Sequence, residues 1–500
     1  MKLTPFLLIA AGLTCLGTNL PSAAQSVEKV ADLNFQSFDG IGYGGYAPLD
    51  RFTQVDTNLW YTTKRGGTFD AGTISRFDLV THEVVEVASL DNNSGKAPES
   101  PLLVIGDEAY FTTVNGGAGN RGTIAKIGLT NGTVSALYHF PADGSFGATP
   151  RAGLTRIGDE LWTLTSLGGI SNRGVIVKFN LTNYAVTVVT NLDGRTLGTQ
   201  PFGGFTPAGS NAWFFTTFSG GDSTFKTTNY HEILQSDGST AIITNSLPLG
   251  AGTLGRLTFD GEGNPVATTL VELPAGYTQF PGVEPCAVGS NILYFGSIGP
   301  NSLPGAIQSY DLVSGLFSNL FNFPTNADSA LAIGTRPGYS GLVEWLGDLY
   351  FINRSGGTSN AGVVAKFNIA SNTVTKLADL EGTGSQSLGS ASGFFGTGTI
   401  VEVTNRFYLY YPLTDGGAND RGTIIRVALP PPPIEASLAR TDEPAELALS
   451  WIGGYPPFTV QASSDITVSG WTNLAVGVTN RDLAVPADSP RCFFRIAGDE

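Results

Sequence analysis

Short apolar runs alternate with glycine-rich polar turns along most of this chain. Runs such as Leu59-Trp60-Tyr61-Thr62-Thr63 are rich in aromatic and β-branched side chains, which suit a pleated, half-buried strand. Other runs, such as Val175-Ile176-Val177-Lys178-Phe179, carry apolar side chains on both faces, so we expect them to be covered on both sides. The pattern predicts an all-β protein built from many short strands.

The turn between two such runs repeats one phrase: Gly-Gly, two variable residues, Asn or Asp, a variable residue and a closing Gly. We expect the paired glycines to adopt backbone angles that a Cβ would forbid, and the Asn or Asp to bond its own backbone or to be left-handed. A fixed phrase that returns at near-regular intervals indicates a repeat architecture. The phrase occupies residues 66–74, 116–124, 168–176, 356–364 and 416–424, with weaker echoes at Gly220-Gly221 and between Gly299 and Gly305.

Each repeat has room for four strands. The first glycines of successive phrases lie 50 to 60 residues apart, except for one step of 79 residues between Gly220 and Gly299. Four-stranded units of this length are typical of the blades of a β-propeller. We interpret the long step as one blade with an insertion around residues 222–255, and a degenerate extra blade is the alternative.

The two ends of the array predict that the ring closes. The last repeat supplies only two strands, whereas residues 33–40, near the start of the chain, match residues 137–144. A blade shared by the two ends of the array leaves no exposed sheet edge. This arrangement predicts seven blades, and an open solenoid is the alternative.

One stretch, residues 109–165, combines most of the repeated features: Tyr110-Phe111-Thr112-Thr113, Gly116-Gly117, Gly122-Thr123-Ile124, Asp143-Gly144, Pro150 and Leu161-Trp162. This set resembles the Gloeo/Verruco (GloVer) tandem repeat of secreted bacterial proteins, and the resemblance extends over residues 31–429. The sequence departs from the usual pattern at Phe111, where glycine is commonest. The resemblance implies a bacterial, exported protein and transfers no catalytic residue.

Residues 1–24 have the features of a secretory signal peptide: a basic Lys2, an apolar stretch and the small residues Ser22-Ala23-Ala24 before the cleavage point. We expect a secreted protein whose mature chain begins at Gln25, located outside the cell, at its surface or in the periplasm. A lipoprotein anchored through Cys15 is the alternative, although the residues before Cys15 make a poor lipobox. No other apolar run is long enough to span a bilayer.

The pattern of short strands and glycine-rich turns changes after a run of four prolines. We expect a β-propeller over residues 25–429, a stiff polyproline linker over 430–434 and a small β-sandwich over 435–500. The last segment resembles the fibronectin-like C-terminal modules of exported bacterial proteins, with Leu449-Ser450-Trp451 near its start and Phe493-Phe494-Arg495 near its end.

The formal net charge of −15 at pH 7 argues against nonspecific binding of nucleic acid and suits a soluble extracellular protein. Two cysteines remain after removal of the signal peptide, Cys286 and Cys492. We expect two thiols, and a disulfide that links the two domains is the alternative.

The sequence shows no constellation of catalytic or metal-binding residues. The three histidines, His82, His139 and His231, lie at unrelated repeat positions and lack the spacing of zinc ligands. Residues 260–264 and 415–420 supply oxygens for calcium but lack the twelve-residue pattern of a calcium loop. We therefore expect no catalytic residue, no metal and no cofactor.

Two functions remain open at this point. The absence of catalytic motifs favours a non-enzymatic secreted or cell-surface protein whose propeller binds a glycan or an extracellular protein. The alternative is a polysaccharide-active hydrolase or lyase, which needs two carboxylates in one axial cavity.

Three arginines suggest where a partner binds. Arg121, Arg173 and Arg421 occupy the same position of the repeated turn, just before its closing glycine. Because a guanidinium group suits carboxylates and phosphates, these residues predict an anion-binding face. Ordinary solvated or ion-paired arginines are the alternative.

Overall fold

The computed structural model describes residues 25–33, 45–221, 229–234, 240–245, 250–274, 281–299, 303–325, 332–391, 396–440, 446–463, 471–486 and 493–499. The expected signal peptide, most of the expected closing strand at 33–40 and Cys492 lie outside these ranges. The described residues form 36 β-strands and a 3-10 helix at Pro337–Tyr339. No helix among them is long and apolar enough to cross a membrane.

Seven antiparallel sheets of four strands each, within the described ranges, are the blades of a β-propeller. The fold class and the number of blades predicted from the sequence are thus confirmed. Blade one contains β2 (Thr53–Val55), β3 (Asn58–Thr63), β4 (Thr73–Asp78) and β5 (Val84–Ser89); blade two β6 (Leu103–Ile105), β7 (Glu108–Thr113), β8 (Thr123–Gly128) and β9 (Val134–His139); blade three β10 (Thr155–Ile157), β11 (Glu160–Leu164), β12 (Val175–Asn180) and β13 (Val186–Asn191); blade four β14 (Thr206–Pro207), β15 (Trp213–Thr217), β18 (Thr253–Phe259) and β19 (Pro265–Glu272); blade five β20 (Cys286–Val288), β21 (Ile292–Ser297), β22 (Ala306–Asp311) and β23 (Phe317–Asn322); blade six β24 (Val343–Trp345), β25 (Asp348–Asn353), β26 (Val363–Asn368) and β27 (Thr373–Asp379); blade seven β28 (Thr399–Val403), β29 (Arg406–Leu413), β30 (Thr423–Ala428) and β1 (Val27–Asp32).

Strand β1 closes the ring by pairing antiparallel with β30, from the other end of the array. The predicted closure is confirmed, but the predicted match of residues was wrong. Leu33 donates a main-chain hydrogen bond to Gly422, as Phe140 does to Gly122, so Leu33 is equivalent to Phe140 and not to Leu137. The closing strand therefore lies before the segment that resembled it, because strand pairing and not local likeness sets the register.

Each blade packs against its neighbours through the side chains of its two central strands. Trp60 and Ile74 of blade one share a buried cluster with Phe111 of blade two, and similar clusters join the blades that follow. At the closure, the Thr399 hydroxyl of blade seven donates to the Phe52 carbonyl of blade one at 2.8 Å. The hydrophobic core therefore runs around the ring, which explains why the central strands are apolar on both faces.

The repeated turn owes its conformation to its Asn or Asp residue. In the first repeat the Asp70 carboxylate accepts a hydrogen bond from the Gly66 main chain at 2.9 Å, and Asp70 is left-handed with φ of 47°. The equivalent bond occurs in five repeats, at 2.8 to 3.1 Å. Both roles predicted for this residue are confirmed, and they explain why Asn or Asp occupies the position.

The Thr-Thr pair before the turn has two structural roles. Thr62 donates to the Ser100 carbonyl of the next blade at 3.0 Å. Thr63 bonds the Thr73 hydroxyl, on the other side of the turn, at 2.8 Å. These buried hydroxyl groups have their partners inside the fold, so the repeated threonines support the blades and do not mark a site.

The long fourth repeat contains an inserted hairpin. Its strands, β16 (Asn229–Leu234) and β17 (Thr240–Asn245), form a separate two-stranded sheet between β15 and β18. The predicted insertion is confirmed, and the inserted strands do not form an extra blade.

The chain divides into two compact units, of which the larger, residues 27–401 and 409–427, holds nearly all of the propeller. The smaller unit includes residues 402–408 and 428–500. Its strands β31 (Glu435–Arg440), β32 (Glu446–Ile452) and β35 (Asp482–Pro486) form one sheet, and β34 (Thr472–Val478), β33 (Tyr455–Ser463) and β36 (Phe493–Asp499) form the other. The predicted small sandwich is confirmed, whereas its likeness to fibronectin-like modules stays a prediction.

Candidate functional site

One end of the propeller carries two kinds of connection. The repeated turns join the second and third strands of each blade, and the axial segments lead into the first strand. Because neighbouring strands are antiparallel, both lie at the same end, and bridges such as Tyr46 to Arg65 and Ala148 to Leu167 join them. The axial segments of blades one to five are residues 48–51, 98–101, 150–153, 201–204 and 281–284.

The axial segments of these five blades line one cavity. Its lining residues are Leu49, Asp50, Glu99, Arg151, Phe202, Gly282, Val283 and Glu284. Five successive blades of a ring can reach a common cavity only near the axis. The cavity volume of about 20 Å³ is enough for one or two water molecules.

Two ion-paired groups of side chains meet at this cavity, which Glu99, Arg151 and Glu284 line. Arg51 of blade one bonds the Glu284 carboxylate of blade five, which is not an adjacent blade. Glu99 of blade two meets the Lys64 ammonium of blade one at 2.8 Å and the Arg151 Nε of blade three at 3.5 Å. We call these residues, with Asp50, the axial cluster.

The pKa values of Asp50 and Glu99 are shifted in opposite directions. Burial raises the pKa of Asp50 to about 7, with Arg51 opposing the shift and Glu284 adding to it. Burial also disfavours ionisation of Glu99, whose side chain is 7% exposed, but Arg151 and Lys64 hold its pKa below the usual value. Such divergence is typical of acid–base pairs. Here, however, both carboxyl groups line a cavity of water size, and Glu99 contacts cations of the protein itself.

The axial cluster was not predicted from the sequence. Glu99, Arg151 and Phe202 each follow directly after a proline that recurs before the first strand of a blade. The proline belongs to the repeat pattern, whereas the residue after it varies from blade to blade. A charged residue at this position was the available signal.

The three arginines predicted as an anion-binding face lie in equivalent turns of blades two, three and seven. Arg121 is exposed, and its Nε donates to the Ala142 carbonyl at 3.3 Å. The Arg173 guanidinium packs over Gly194, where a Cβ would lie 2.0 Å from it. The Arg421 guanidinium lies over the Tyr46 ring at 4.3 Å. The turns place all three at one end of the propeller, and their binding of an anion stays a prediction.

Changing Arg121, Arg173 and Arg421 together to Ala should weaken retention on immobilised alginate at low salt, because three cations leave one face of an acidic protein. Chromatography at two salt concentrations measures this. Equal retention of the parent and the triple variant, or no retention of the parent, would remove the anion-binding face.

The tips of two repeated turns expose large apolar side chains. Phe69 of blade one is 66% exposed and Ile170 of blade three is 90% exposed. Each lies between the paired glycines and the hydrogen-bonded Asp or Asn, so the turn holds it outward on a fixed frame. We call the exposed ends of the repeated turns, with their arginines, the turn-tip face.

The remaining candidate residues do not come together. His82 stacks on Phe77 at 5.6 Å, and the His139 Nδ1 accepts a hydrogen bond from Ala118. The side chain of His231 lies outside the described residues. Across the described ranges, no group of three or more His, Cys, Asp or Glu residues could hold a metal ion.

Among the described residues, Cys286 is a half-buried thiol without a disulfide partner, and burial raises its pKa to about 11. A thiol with so high a pKa is a poor nucleophile at neutral pH. Cys286 is therefore a packing residue of blade five.

Comparison with known proteins supports the repeat. The family model of the Gloeobacter/Verrucomicrobia repeat matches residues 29–230. The comparison with curated proteins found no relative.

Several solved structures are distantly similar. An oligogalacturonate lyase in complex with manganese is 11% identical with a TM-score of 0.43, over 82% of this chain and 94% of the lyase. A europium-containing methanol dehydrogenase is 10% identical with a TM-score of 0.44, over 78% of this chain and 93% of its own. An oligogalacturonate lyase from Vibrio parahaemolyticus is 10% identical with a TM-score of 0.39, over 82% and 98%. Likenesses this distant do not bear on activity.

Proposed function

We propose that this Gloeobacter/Verrucomicrobia repeat protein is an exported, non-enzymatic binding scaffold, and that its turn-tip face contacts a glycan or an extracellular protein. The observation that carries the proposal is the pair of exposed apolar side chains, Phe69 and Ile170, on turns with an otherwise constant frame. Rigid frames that present variable loop residues are the usual basis of binding surfaces.

The axial cluster supports a binding role over a hydrolase or lyase. A glycosidase needs one carboxyl group as acid and a second as base or nucleophile, with room for a sugar between them. Glu99 and Glu284 are instead engaged by Lys64, Arg151 and Arg51. The cavity beside them has the volume of one or two water molecules.

The signal-like residues 1–24 and the small residues before Gln25 support export. Intact-mass analysis of the protein from a secreting bacterial host tests this part. A chain that keeps residues 1–24, or that begins at a lipidated Cys15, would contradict it.

Replacing both tips, Phe69→Ser with Ile170→Ser, should lower apparent affinity for the partner at least tenfold, because burial of each side chain in a complex contributes about 1.5–3 kcal/mol. Retention of the parent and the variant on immobilised alginate and on cellulose measures the effect. Alginate and cellulose represent acidic and neutral glycans.

The matched control is Val80→Ser with Val313→Ser. These residues are 75% and 76% exposed, in turns between third and fourth strands at the opposite end of the propeller. The control should bind as the parent does. Equal losses of retention in the two double variants would overturn the proposal. The proposal would also be overturned if the parent is retained on neither glycan and on no protein of the cell envelope.

A further inference from the structure

We infer that the axial cavity receives the carboxylate group of a sugar acid on the guanidinium of Arg151, and that a hydroxyl group of the same ligand bonds the carboxylate of Glu284. Arg151 and Glu284 both line the cavity, and they come from blades three and five. The site is separate from the turn-tip face, so it does not rest on the proposed function.

Arg151 is held in place but keeps hydrogen-bonding capacity. Its guanidinium lies 5.2 Å from the centre of the Phe202 ring, and its Nε lies 3.5 Å from Glu99. The main chain beside it is fixed, since the Ala152 carbonyl accepts hydrogen bonds from Thr112 and Thr163. No bond of the two terminal nitrogens is found among the described residues, and the side chain is 35% exposed. A planar guanidinium group that is held in place and can still donate from its terminal nitrogens suits a carboxylate.

The charges of the axial cluster do not balance below neutral pH. Three cations, Arg51, Lys64 and Arg151, face two ion-paired carboxylates, Glu99 and Glu284. Asp50 supplies the third negative charge only above its pKa of about 7. When Asp50 is protonated, the cluster carries one net positive charge, and a ligand carboxylate neutralises it.

The cavity also favours a ligand that carries hydroxyl groups. Glu284 lines it with a carboxylate, which accepts hydrogen bonds and cannot donate them. A volume for one or two water molecules matches the two oxygens of a carboxylate group. The sugar ring itself must therefore remain in the opening, where half-buried Phe202 lines the wall.

Ligand binding and ionisation of Asp50 compete for the same positive charge. The groups around Asp50 are Arg51 and Glu284, with Lys64, Glu99 and Arg151 completing the cluster. Above pH 7 the Asp50 carboxylate repels the ligand carboxylate, so binding weakens as pH rises. Conversely, a bound carboxylate raises the pKa of Asp50, so binding near pH 7 takes up protons.

The test is titration calorimetry of the mature protein with D-galacturonate, acetate and D-galactose at pH 5.5 and pH 8.0. We expect galacturonate to bind most tightly, and at least about tenfold more weakly at pH 8.0. At pH 7 the measured binding enthalpy should differ between two buffers of different ionisation enthalpy, because binding takes up protons. Asp50→Asn should bind equally at both pH values, because a neutral side chain cannot titrate.

Three variants separate recognition from folding. Arg151→Gln should lose at least tenfold in affinity, and Arg151→Lys, which keeps the ion pair with Glu99, should fold and still bind more weakly than the parent. Arg156→Gln, an exposed arginine in β10 beside Asp159, should leave binding unchanged. Full affinity in Arg151→Lys, equal binding of acetate or galactose, a pH-independent parent, or no binding of any probe would overturn the inference.

Discussion

Deletion of residues 25–33 should open the propeller and remove its cooperative unfolding transition. Strand β30 would lose its partner β1 and present a bare edge of nearly buried residues. The deletion also removes the buried Leu33 and the Glu28–Arg426 ion pair at 2.6 Å. Together these losses cost at least about 4 kcal/mol, a large part of the stability of a typical domain. Thermal unfolding followed by circular dichroism and light scattering measures the change.

A peptide of residues 25–33 added in trans provides the control for this deletion. Because it can pair with the open edge of β30, it should restore part of the lost stability and reduce aggregation. A scrambled peptide of the same composition should not. A deletion variant that unfolds with the midpoint and steepness of the parent would show that the ring does not depend on β1.

The second large effect is expected at the closing glycine of a repeated turn. Gly174 has φ of +100°, and a Cβ there would lie 2.1 Å from the Thr165 carbonyl oxygen. The main chain on both sides is tied by hydrogen bonds, so neither atom can move freely. Gly174→Ala should therefore destabilise the protein by at least about 3 kcal/mol.

The matched control is Gly158→Ala in the same blade. Gly158 has φ of +62°, and a Cβ there would meet no atom within 4 Å. Gly158→Ala should lower the free energy of unfolding by only about 1 kcal/mol, which is the penalty of a left-handed alanine. Denaturant unfolding of both variants separates steric conflict from backbone strain. Equal losses would contradict the steric argument.

The local chemistry of the repeat was readable from the sequence. The hydrogen bond from the Gly66 main chain to the Asp70 carboxylate lies within one turn. Its donor and acceptor are close along the chain, so residue types at fixed spacing predict it. The closing strand was harder to place. Its register depends on pairing between β1 and β30, which no local pattern specifies.

The sequence by itself determined the all-β class, the four-stranded repeat, the insertion in the fourth repeat, the seven-bladed ring and the small sandwich, because turn chemistry and strand patterning repeat along the chain. Only the tertiary structure decided which side chains meet at the axis. Arg51 and Glu284 are 233 residues apart and occupy equivalent positions of blades one and five. Their contact depends on the closure and the number of blades, and so does the shift in the pKa of Asp50 between them. Long-range electrostatics of this kind arises from the ring and not from any single repeat.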